Sequence, residues 1–212
     1  MYHAIVRRRV RALFDAVNRG DAEPVLRTLA RRFEHSFLGE HALGGSRTTL
    51  SKTRQWYERL YRLLPDIRFD LRQITVSGGP WNTLVAVAWD ETNSGTDNVR
   101  TYNRGIHVVH LRWGRATQLI ICPDTIGLKE TLDRLYASGN KEALAAPIVG
   151  GSKFPPAART GPTILKRIDQ LIWRTRLRGA RVGLRREGLN AGLRPGIKSG
   201  AGIFRIMLFG GS

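Results

Sequence analysis

Asp124 ends an alternating apolar run, ten residues after Gly114. A carboxylate set into the wall of an apolar pocket has its pKa raised toward neutrality, which suits it to proton transfer. The same residue also fits the N-cap of the helical run that follows, because an Asp oxygen accepts from the first free backbone N–H groups of a helix. Both readings stand for this residue. Along residues 102–113, His107 shares a face with Asn103, Val109, Leu111 and Trp113, whereas His110 lies opposite with Ile106 and Val108. One of the two therefore faces the interior. An inward His107 polarises a carbonyl or holds a proton; the alternative is a core or interface histidine with satisfied nitrogens. His35 and His41 precede a helical run and reach a ligand if their segment forms the rim of a pocket. Their His-x5-His spacing matches no common zinc pattern and a third ligand is lacking, so no metal site is expected. Trp56, Tyr57, Tyr61 and Trp89 fit either an aromatic pocket or core packing, with the Tyr57 hydroxyl able to orient a carbonyl. Cys122 has no base beside it and reads as a small buried hydrophobe. The sequence contains no Gly-x-Gly-x-x-Gly, no Gly-Lys-Ser/Thr phosphate loop and no Gly-x-Ser-x-Gly elbow, so no cofactor is expected.

The elements that would position these groups follow from periodicity. Val6, Val10, Leu13, Phe14 and Val17 predict a helix over 3–18, closed near Gly20. A short helix with Pro24 in its first turn buries Val25, Leu26 and Leu29. Residues 33–47 have no clear period and are broken by Gly39, Gly44 and Gly45, which predicts a loop. A third helix runs from Thr49 to Leu64, with Trp56, Tyr57, Leu60, Tyr61 and Leu64 on its apolar face and Pro65 as its stop. The period then changes to two: strands over 67–76, with a one-residue shift that predicts a bulge, then 83–92, 101–113 and 115–123. Residues 83–92 are apolar on both faces, as in a strand covered on both sides. A last helix over 125–137 carries Leu128, Leu132, Leu135 and Tyr136 on one side. The expected architecture is α+β: three N-terminal helices on the apolar face of an antiparallel meander, with a concave, mostly apolar space between them.

Six short stretches carry a family resemblance. Gly39-Glu40-His41-Ala42-Leu43-Gly44-Gly45, then Trp56-Tyr57-Glu58-Arg59-Leu60 and Leu64-Pro65-Asp66-Ile67-Arg68-Phe69, resemble the SnoaL-like proteins of the nuclear transport factor 2-like superfold. Gly105-Ile106-His107-Val108, Leu111-Arg112-Trp113-Gly114-Arg115 and Asp124-Thr125 are similar to that family's last hairpin. The resemblance spans about residues 3–138. It implies a cone-shaped curved sheet packed on helices, often dimeric through the outer sheet face, and a pocket for a small apolar molecule. It further implies cofactor-free acid–base chemistry of the isomerase, cyclase or dehydratase type on a carbonyl compound. Asp124 then stands at the position of the family's general base, and His107 matches its Gly-x-His pattern. Many proteins of this fold have no known reaction, so a non-catalytic ligand-binding or dimerisation module is the rival expectation.

Composition divides the 212 residues into a pocket domain, 1–148, and a basic Gly/Arg-rich tail, 149–212. The first holds 22 Lys/Arg against 15 Asp/Glu, net +7; the second holds 13 against 2, net +11, of a total of +18. Residues 149–163 read as a linker, and 163–178 fit a basic amphipathic helix suited to an anionic membrane. The rest mixes Arg and Gly in the manner of a nonspecific nucleic-acid binder, or of a solvated segment with no role. The lack of an eighteen-residue apolar run, of a secretory leader and of a second cysteine leads us to expect a cytoplasmic protein.

Overall fold

The computed structural model describes residues 1–150. The predicted linker, basic helix and remaining tail beyond Gly150 lie outside the described residues. Helix α1 (Tyr2–Val17) and short α2 (Glu23–Thr28) are followed by strands β1 (Leu29–Phe37) and β2 (Gly45–Arg47). Helix α3 (Leu50–Leu63) follows, then β3 (Arg68–Gly79), β4 (Asn82–Asn93), β5 (Thr101–Arg112), β6 (Arg115–Pro123) and α4 (Thr125–Ala137). The six strands form one curved sheet in the order β2-β1-β6-β5-β4-β3.

The meander from β3 to β6 follows the alternation in the sequence. Its predicted bulge is the extra residue Arg72, between the pairs Leu71–Trp89 and Gln73–Ala88. On β4, Thr83, Val85, Val87, Trp89, Glu91 and Asn93 are buried; the opposite face is half-buried rather than covered. The loop expected over 33–47 is a correction. Residues 29–37 form β1, which runs parallel to the C-terminal strand β6 and antiparallel to β2. Leu29, Phe33, His35 and Phe37 do alternate, but the partner strand lies some eighty residues away, between Ala116 and Ile121. The pairing is also broken between Leu29 and Glu34, so no local hairpin announces it. Tyr136, expected on the buried side of α4, is exposed.

The helices are held off the sheet at fixed points. The hydroxyls of Tyr2 and Thr83 share a hydrogen bond of 2.6 Å at one end of α1. At the other end, Asn18 both donates to the carbonyl of Phe69 and accepts from its N–H. Trp56 Nε1–H donates to the Leu43 carbonyl, tying α3 to the segment before it. Glu142 binds Arg59 and Arg62 of α3. Between these helices and the bent sheet a hollow remains. Among the described residues, no helix is long and apolar enough to cross a membrane.

Candidate functional site

The hollow is a cavity of about 600 Å³ enclosed by α1, α3 and the concave face of the sheet. Its wall is mostly hydrocarbon and aromatic, with Phe14, Trp56, Tyr57 and Trp89 contributing. Glu91 on β4 and His107 on β5 face it from the middle strands of the sheet.

Trp89 positions His107. The indole Nε1–H donates to His107 Nδ1 at 2.6 Å, which makes Nδ1 the acceptor and leaves the ring proton on Nε2. The geometry depends on Gly105, which faces Trp89 across the β4–β5 pair. A Cβ there would lie 2.6 Å from the Trp89 ring and 2.5 Å from the Cys122 carbonyl oxygen. Phe14 packs edge-on to the imidazole at 5.1 Å. Burial drives the His107 pKa down to about 3, so the ring is a neutral hydrogen-bond donor through the physiological range.

Glu91 extends the inward face of β4 past Trp89 and is only 4% exposed. Burial raises its carboxyl to about 7; the hydrogen bond that Asn93 Nδ2 donates to Oε1 at 2.7 Å opposes this, and Asp66 adds to it. A carboxyl poised near neutrality can both accept and return a proton. Sequence reasoning did not single out Glu91. The signal was present: Val85, Val87 and Trp89 set a phase of two, and Glu91 is the next member of it.

The residues singled out in the sequence separate in space. His107, Trp56, Tyr57 and Trp89 line the cavity. Burial raises the Tyr57 hydroxyl above its usual range, so it too stays neutral. Asp124 is exposed and caps α4, accepting from the N–H groups of Ile126 and Gly127. It lines a polar surface recess that meets the cavity wall at Phe69, Glu91 and Asn103. His35 lies in β1 rather than in a rim loop, fully buried against Trp56 at 4.7 Å and Tyr57 at 5.8 Å, and outside the cavity lining. His41 bonds the Leu38 carbonyl, stacks edge-on to Phe37 and does not line the cavity either.

His35 pairs across the β1–β2 ladder with Arg47, also fully buried. Arg47 Nη2 donates to the carbonyls of Gly44 and Gly45, and the guanidinium lies 5.2 Å from the Trp56 ring centroid. Burial, and then the Arg47 charge, hold the His35 pKa well below its usual value. Cys122 is half-buried and its thiol is pushed up by burial, the opposite of an activated nucleophile.

Comparison with known proteins agrees with this architecture. The SnoaL-like domain family matches residues 10–119. No curated protein matches the sequence. Among solved structures, TerC co-crystallised with polyporic acid superposes with a TM-score of 0.52 at 18% identity, over 59% of this chain and 96% of TerC. An NTF2-like protein of unknown function from Burkholderia pseudomallei gives a TM-score of 0.53 at 17% identity, over 59% and 95% of the two chains. PrhC from Penicillium brasilianum gives 0.53 at 12% identity, over 61% and 87%. At these identities the likeness is one of fold.

Proposed function

The chain belongs to the SnoaL-like domain family, and from that premise we propose that it binds a small, mostly apolar carbonyl compound in the cavity and moves a proton on it, with Glu91 as the base. The observation that carries this reading is the buried carboxyl in the cavity wall, held near pH 7 by its surroundings. Proton transfer by a positioned side chain works best when its pKa lies near the operating pH.

The Glu91 carboxylate takes a proton from an activated carbon of the substrate. The electron pair moves through the conjugated framework to the carbonyl oxygen, which accepts a hydrogen bond from His107 Nε2–H. The Glu91 carboxylic acid then returns the proton, at the same carbon or at another along the framework. A neutral imidazole suits the second role because it stabilises the enolate without competing for the proton. Glu91 pairs with Asn103 and His107 with Val87, four residues apart along the ladder, a backbone separation of about 13 Å. That span favours a substrate whose acidic carbon and carbonyl are joined through conjugation over one where they are adjacent. TerC, with the same fold, has been crystallised with polyporic acid, which supports reading the cavity as a ligand site.

Deuterium incorporation into a panel of α,β-unsaturated ketones in D2O, followed by proton NMR, tests the proposal. The protein should accelerate exchange at the γ-carbon, with a rate that rises as pH passes through about 7. Glu91→Gln should lower the rate by about 100-fold or more while ligand binding persists. Exchange at the wild-type rate in that variant would remove Glu91 from the reaction, and binding without any exchange would leave a carrier.

A further inference from the structure

The exposed lining of the cavity forms a mouth whose chemistry differs from that of the interior. The exposed members of the lining come from three places: Ile5, Arg9 and Ala12 on α1, Arg27 at the end of α2, and Trp113-Gly114-Arg115 at the β5–β6 turn. Three of these are arginines and none is acidic. Arg115 Nη1 donates to the Arg27 backbone carbonyl at 2.6 Å, which fixes one guanidinium beside the end of α2. Like most arginines among the described residues, Arg9, Arg27 and Arg115 have no ion-pair partner there, so their charges are uncompensated. Glu91, the acidic group of the lining, lies at the far end: the ladder runs from the Thr83–Leu111 pair near the mouth to the Glu91–Asn103 pair, about 26 Å by strand rise.

We propose that the molecule taken up is an elongated amphiphile with an anionic head group, its apolar body lying along β4 and β5 and its head held at the mouth by Arg9, Arg27 and Arg115. Guanidinium groups are planar donors that match carboxylate and phosphate oxygens. An acidic head at the opposite end would meet Glu91, so the charge arrangement also sets which end enters first. The inference rests on the cavity being the ligand site and narrows the class of compound that enters it.

Calorimetry with dodecanoate, dodecyl phosphate and dodecanol on the full chain decides it. The two anions should bind at least about tenfold more tightly than the alcohol, with an advantage that shrinks as salt rises. The variant carrying Arg9→Gln, Arg27→Gln and Arg115→Gln should lose that advantage and keep the affinity for dodecanol; Arg115→Gln alone should lose part of it. A preference for one of the anions identifies the head group. Equal affinity for the alcohol and the anions overturns the proposal, as does an anion preference that survives in the triple variant, which would assign it to positive charge elsewhere in the chain. If none of the three binds, or if Val87→Phe, which fills the cavity, leaves dodecanol binding unchanged, the reading of the cavity as a ligand site fails as well.

Discussion

Glu91 and His107 share one apolar enclosure, which drives both to their neutral forms and so gives them opposite pH dependences. The Glu91 carboxyl rises from an ordinary value near 4.5 to about 7. Between those values the folded chain holds a proton that the unfolded chain releases, so the associated stability is complete below about pH 4.5 and lost as pH rises through 7. Glu91→Gln keeps the Asn93 contact and removes the titration. The variant should gain about 3 kcal/mol over wild type at pH 8, at about 1.4 kcal/mol per pH unit displaced, and almost nothing at pH 4. Urea melts at the two pH values check this; an equal difference at both would mean that Glu91 is not buried as a neutral acid. His107 falls from 6.5 to about 3, so its contribution is complete above about pH 6.5 and lost on acidification, and the depressed His35 acts in the same sense. His107→Phe should therefore flatten the acid limb of the stability curve by up to about 1.4 kcal/mol per pH unit between pH 6 and 4. The same variant should be about 1–3 kcal/mol less stable at pH 7, because the Trp89 N–H loses its acceptor. These features are only partly legible in the sequence. His107 shows itself by strand phase, but its partner Trp89 sits on another strand, and Glu91 needs the same phase carried two residues further.

Elements differ in legibility according to how local their partners are. Helix α3 is defined by a continuous helical period and the β3–β6 meander by alternation and hairpin neighbours, and both follow from the sequence alone. Strand β1 depends on β6, and its apolar positions read as irregular when that partner is not in view. Losing β1 also misplaces His35, since a strand residue behind Trp56 has no route to a pocket rim. Asp124 shows a similar limit. A carboxylate at the start of a helix satisfies both a capping rule and a catalytic one, and only the three-dimensional setting separates them. Here its Oδ1 accepts from the N–H groups of both Ile126 and Gly127. Asp124→Ala should cost about 0.5–2 kcal/mol through the α4 cap and leave proton exchange within about twofold of wild type. Thermal melts and the exchange assay read the two effects separately, and a large loss of exchange in a stable variant would return Asp124 to the reaction.

On the scale of the molecule, shape and charge are carried by different stretches of chain. The enclosure depends on contacts distant in sequence, Tyr2 to Thr83, Asn18 to Phe69 and Trp56 to Leu43, and all lie within the first 90 residues. The described residues run back to β2 at their end, where Gly150 pairs with Arg47 and accepts from the Thr48 N–H. The charge is concentrated elsewhere: residues 149–212 carry net +11 with only two acidic groups, against +7 in the larger part before them. Attraction to a polyanion scales with the number of its charges that are neutralised, and it weakens steeply as salt rises. A chain ending at Gly150 should therefore melt within a few degrees of the full chain, retain ligand binding in the cavity, and elute from immobilised heparin at clearly lower salt. Retention unchanged by the truncation would assign polyanion binding to the arginines of the first 150 residues, among them those at the cavity mouth. A large fall in melting temperature would instead mean that the basic segment supports the fold as well as carrying its charge.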